Sequence, residues 1–118
     1  MDGHAQTTSP PTLLQQRDAA RALRRLQAYD ETRLRLKQAL SELIPGHKTI
    51  LFGSLTRRGV FNDRSDVDLA FESEPAQMSV YGLISALMER LGRPVDVVML
   101  DRCRFGELIR REGEVWIA

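Results

Sequence analysis

Residues 66 to 100 constrain the fold of this chain more than any other stretch. "DVDLAFE" (66–72) alternates strictly, with Val67, Leu69 and Phe71 on one face and Asp66, Asp68 and Ala70 on the other. "AQMSVYGLISALMERL" (76–91) carries Met78, Leu83, Ile84, Leu87 and Met88 at helical spacing, and Gly92 follows as a stop. "PVDVVML" (94–100) is an apolar strand interrupted only by Asp96. A strand, a helix and a strand of these lengths close as a right-handed crossover, so the two strands are expected to be parallel.

The upstream sequence extends this unit. "KTILF" (48–52) is a short strand, and antiparallel pairing with 66–72 would set its end beside Asp66. From Thr12 to Ile44 helix formers dominate, with Leu36, Leu40, Leu43 and Ile44 in one apolar stripe. Leu13, Ala19, Ala20, Leu23 and Leu26 form a weaker stripe before them. Tyr29-Asp30 is read as a break into two helices, Asp30 capping the second. Pro45-Gly46 ends the helical run. Residues 1–11 are small and polar and are expected to be a disordered tail. At the other end Asp101 is expected to cap a short helix running through Arg111, with "EVWIA" (114–118) as an extended tail. The expected organisation is the tail 1–11, a helical extension 12–29 and one small α/β domain 30–118.

Composition excludes several classes. At 118 residues, 42% hydrophobic and 28% charged, the chain suits one globular domain. The single Cys103 rules out an intrachain disulfide, and His4 and His47 have no zinc-site spacing. A formal charge of +1 offers no global basic field, so direct nucleic-acid binding is not expected. The opening "MDGHAQTTSPPT" lacks the layout of a secretion signal, and no apolar run approaches the roughly 20 residues of a membrane span, so a cytoplasmic location is expected.

The acids carry the chemistry. Asp66 and Asp68 leave the same strand face roughly 6–7 Å apart at the backbone. Left alone, two such carboxylates repel and raise each other's pKa; a divalent cation between them removes the conflict. Ligation by oxygen alone favours magnesium or manganese. Asp96 lies near the start of a parallel strand, as Asp68 does, so the three can converge at one edge. The plainer reading pairs Asp96 with Arg93 or Arg90. Gly53-Ser54 closes the first strand; glycine lets a ligand approach the backbone, and Ser54 with the amides of a following helical turn can take a phosphate oxygen. Arg57 and Arg58 add positive charge nearby. A phosphate cradle facing a metal-binding acid cluster is what nucleotidyl transfer requires.

Gly53-Ser54, eleven intervening residues, Asp66-x-Asp68 and the later Asp96 resemble the nucleotidyltransferase superfamily that includes DNA polymerase beta. The chain is most similar to its minimal nucleotidyltransferases, the MNT proteins, over roughly residues 30 to 117, including "IRREGEVWI". The resemblance implies a small mixed β-sheet flanked by helices. It implies Asp66, Asp68 and Asp96 as catalytic metal ligands, Asp96 also helping to deprotonate the acceptor, with Gly53 and Ser54 holding the nucleotide phosphates. Mg²⁺ would be the cofactor and ATP the substrate. It further implies a HEPN-domain ribonuclease toxin as partner in a hetero-oligomer. Neutralisation would proceed by transfer of AMP to the toxin, or by occlusion without catalysis. "GSLTRRG" is one residue longer than the corresponding run in small members, so both Arg57 and Arg58 are candidates for the nucleotide-binding arginine.

Overall fold

The computed structural model describes residues 9–118. Its elements run α1 (Leu13–Leu43), β1 (Lys48–Phe52), a 3-10 turn (Gly53–Thr56), β2 (Val67–Phe71), α2 (Val80–Leu91) and β3 (Val95–Met99). A second 3-10 turn (Leu100–Arg102), α3 (Gly106–Glu112) and β4 (Glu114–Ile117) complete the chain. The sheet is mixed, in the order β3-β2-β1-β4. The expected pairings hold: β1 is antiparallel to β2, and β2 is parallel to β3.

The alternation of β2 divides the sheet into two faces. Leu51, Val67, Leu69 and Phe71 are fully buried against α1 and α2, which contribute Leu36, Leu40, Ile44, Leu83 and Leu87. Each such side chain contributes about 1.5–3 kcal/mol through burial. The opposite face carries a smaller cluster, Ile50, Ala70, Leu100 and Ile109, supplied in part by α3. Among the described residues no helix is long and apolar enough to cross a membrane.

Four local expectations change. The helix does not break at Tyr29-Asp30: α1 runs unbroken for 31 residues, and Asp30 pairs instead with Arg58. Its start is fixed by a capping box, in which the Thr12 hydroxyl accepts from the Gln15 amide and the Gln15 side chain accepts from the Thr12 amide. α2 begins only at Val80, because the Ser79 hydroxyl accepts from the Gly82 amide and caps the helix there. Met88, expected in the core, is exposed. Asp101 sits in a 3-10 turn rather than capping α3.

The extended "EVWIA" is a fourth strand. Thr49 lies opposite Trp116 and Ile50 opposite Val115. Arg33 holds this edge to α1. Its Nη1 donates to Glu114 Oε1 at 3.0 Å and to the Leu55 carbonyl at 3.0 Å, and its Nη2 donates to Glu114 Oε2. The guanidinium also stacks on the rings of Tyr29 and Trp116 at 5.0 and 5.1 Å. The expected tail 1–11 lies outside the described residues up to position 8, and α1 crosses residue 29 without interruption.

Candidate active site

Sheet register decides which acids meet. Asp68 lies directly opposite Asp96 in the parallel β2–β3 ladder and opposite Phe52 across β1. Register partners on adjacent strands share a face, about 4.8 Å apart at the backbone. Asp66 lies just ahead of β2, two positions before Asp68. Asp68 is half-buried, while Asp66 and Asp96 are exposed.

The electrostatics follow from this arrangement. Burial pushes the Asp68 carboxyl above the ordinary carboxylate range, and the negative charges of Asp96 and Asp66 push it the same way. The arginines that would give Asp96 a plainer role are engaged elsewhere. Arg90 pairs with Glu42. Arg93 Nη1 donates to the carbonyls of Asn62 and Ser65, each at 2.9 Å, while the guanidinium stacks over Phe61 at 4.4 Å. Arg93 therefore pins the loop that delivers Asp66. Its only sequence signal is a cation just before a strand, which does not distinguish a carbonyl-binding arginine from a carboxylate-binding one.

Gly53 joins the two halves of the motif. It has φ +76°, in the left-handed region, and a Cβ there would collide with Asp68 Oδ2. Bare backbone is thus required under the Asp68 carboxylate. The following 3-10 turn is closed by the Arg57 amide donating to the Ser54 carbonyl at 3.0 Å and by the Thr56 hydroxyl donating to the Gly53 carbonyl at 2.7 Å. Ser54 is half-buried at the start of this turn, where the first amides have no acceptor within the turn.

Arg57 and Arg58 are separated by the fold. Arg58 reaches back to α1, its Nε and Nη2 donating to the Asp30 carboxylate at 3.3 and 3.1 Å. Arg57 lines a cleft of about 200 Å³ beside Gly53 with Phe52, Thr56, Leu108, Ile109, Glu112 and Gly113. Leu108 and Glu112 escape sequence reasoning, because α3 reaches this cleft only through tertiary packing.

The donor set suits a hard cation in kind: three carboxylates near one another, none in an ion pair among the described residues. They are not drawn into a closed cage; among the described residues no three such side chains are grouped tightly enough to hold a metal ion. Asp68 and Asp96 face each other by register, and Asp66 lies in the loop two positions before Asp68.

The class of protein is that of a mixed four-stranded sheet flanked by helices, with a glycine-serine turn abutting the Asp68 carboxylate. Residues 34–114 match the nucleotidyltransferase domain family, and the chain belongs to that family. Among curated protein sequences none matches it significantly. Among solved structures it is similar to a chain from a crystal structure of a toxin–antitoxin with AMP-PNP. Identity is 23%, the likeness covers 72% of this chain and 73% of that one, and the TM-score is 0.53.

Proposed function

We propose that this protein transfers AMP from ATP to a protein acceptor with the help of Mg²⁺, and that it serves as the antitoxin of a HEPN ribonuclease toxin. The observation that carries this reading is the Asp68–Asp96 register with the bare Gly53 backbone beneath Asp68. The similarity to a toxin–antitoxin chain crystallised with AMP-PNP supports it.

In this reading Gly53 and Ser54 hold the phosphates and the cleft beside Arg57 receives the rest of the nucleotide. Asp66, Asp68 and Asp96 would hold the metal, which supplies charge neutralisation at the triphosphate. The acceptor hydroxyl oxygen bonds to the α-phosphorus as the α–β bridging bond breaks, and pyrophosphate leaves with the electron pair. Asp96, exposed at the sheet edge, takes the hydroxyl proton.

One observation favours the alternative, a non-catalytic module acting by occlusion: the acids are not pre-closed around a cation site. Titration of the protein with each nucleoside triphosphate, with and without magnesium, separates the two readings. Magnesium-dependent ATP binding is expected, and Asp66→Asn/Asp68→Asn should lose it while staying folded. Absence of nucleotide binding even with the toxin present would leave occlusion as the mechanism.

A further inference from the structure

The N-terminal half of α1 takes no part in the site described above, yet its chemistry is concentrated. Where α1 packs on the sheet, its inward face is Thr32, Leu36, Ala39 and Leu40, all buried. At about 100° per residue, Arg17, Arg21, Arg24 and Arg25 fall on the same side as Thr32 and Ala39. Arg25 marks where the helix leaves the domain, its Nε donating to the Gly59 carbonyl at 3.1 Å. Beyond that point this side of the helix carries Arg17, Arg21 and Arg24 together with Leu14 and Asp18, over about 18 Å from Leu13 to Arg24.

Arg21, Arg24 and Arg25 overhang the loop that leads into Asp66. A hollow of about 270 Å³ is lined by Arg21, Arg24, Arg25, Asn62, Asp63 and Arg64. Arg24 and Asp63 also border a second hollow, of about 240 Å³, that includes Arg35 and Arg93. The first hollow sets four arginines against one aspartate, a local excess of +3 in a chain whose total is +1. The near-neutral total conceals this patch, because acids elsewhere cancel it.

We infer that this cationic hollow binds the phosphodiester backbone of a nucleic acid. Its lining contains no apolar side chain, whereas the centre of a protein–protein interface is apolar and aromatic. The cations are all arginine, whose planar fork matches phosphate in a bidentate way. The acids at the sheet edge repel the same backbone, so the strand runs along the α1 side of the loop rather than across Asp68 and Asp96.

The test is anisotropy of labelled single-stranded RNA and DNA of about 16 nucleotides, titrated with the full chain between about 50 and 200 mM salt, without metal or triphosphate. Binding is expected to weaken with salt, the log–log slope being near −0.7 per phosphate contact, or about −2 to −3 here. Arg21→Gln/Arg24→Gln, checked for unchanged helicity by circular dichroism, is expected to weaken binding about tenfold or more and to flatten the slope by about 1.4. Asp66→Asn/Asp68→Asn is expected to bind as well as the wild type, or better. Equal binding by wild type and the arginine variant overturns the inference. So does polyglutamate competing as well as the oligonucleotides at matched charge, which would assign the hollow to an acidic protein. Because neither ATP nor magnesium is present, failure here leaves the nucleotidyl-transfer reading untouched.

Discussion

Two rows of one sheet face, two residues apart along each strand, meet opposite environments. Ile50, Ala70 and Val98 lie side by side in one row and pack with Ile109 of α3. Phe52, Asp68 and Asp96 form the next row, in the same register and on the same face. The helix covering the first row is only seven residues, about 10 Å long, and it packs on β1. The β2–β3 end is therefore left open, where charge keeps contact with water. The strands do not define the site by themselves; the reach of α3 does.

The sharpest way to break this comparison is to move an acid into the covered row. Ala70→Asp places a carboxylate at a fully buried position and is expected to cost at least about 3 kcal/mol, abolishing or strongly lowering the cooperative thermal transition. A transition within a few degrees of wild type would show that the row is not sealed. Ile50→Ala removes buried methyl groups beneath α3. It should cost about 3 kcal/mol and lower Tm by about 10 °C.

Gly53→Ala sharpens the comparison at the boundary. It combines a left-handed backbone with a collision against Asp68, so a loss of about 1–2 kcal/mol is expected, measured by chemical denaturation. ATP binding should fall at least tenfold in the same protein.

The smallest stability change belongs to the open row, and there its sign reverses. Because the Asp68 pKa is raised in the fold above its ordinary 3.8, the folded state favours the protonated carboxyl. That contribution is present below the ordinary carboxylate range and is lost as pH rises through the raised value. Asp68→Asn stays neutral at every pH. Its metal-free Tm at pH 7 should equal or exceed that of wild type, with the advantage vanishing below about pH 4. Scanning calorimetry across pH reads this, and added magnesium should stabilise wild type but not the variant. A clear loss of stability in Asp68→Asn at pH 7 would mean that the carboxylate is structural.

Much of this was legible in the chain because the relevant periods are local. Strict alternation across 66–72 specifies which residues share the acid face, and the crossover length implies parallel pairing with 94–100. The Asp68–Asp96 meeting is the consequence. The fourth strand was less legible: "EVWIA" is short, and its strand character rests on pairing with β1 and on Arg33, which is eighty-one positions from Glu114. The unbroken α1 is not legible in the sequence, because Tyr29-Asp30 carries a helix-start signal. Asp30 spends its carboxylate on Arg58 instead, and burial of Thr32, Leu36, Ala39 and Leu40 on the sheet holds the helix through.

The sequence by itself determined the first three strands and the two faces of β2, since each depends on neighbours within a strand. Tertiary structure alone decided which arginine faces the cleft and that Arg93 serves the loop rather than Asp96. It also decided that the arginines of α1 overhang the entry to Asp66. These depend on contacts between residues tens of positions apart, where no local period constrains the outcome and only packing selects the partner.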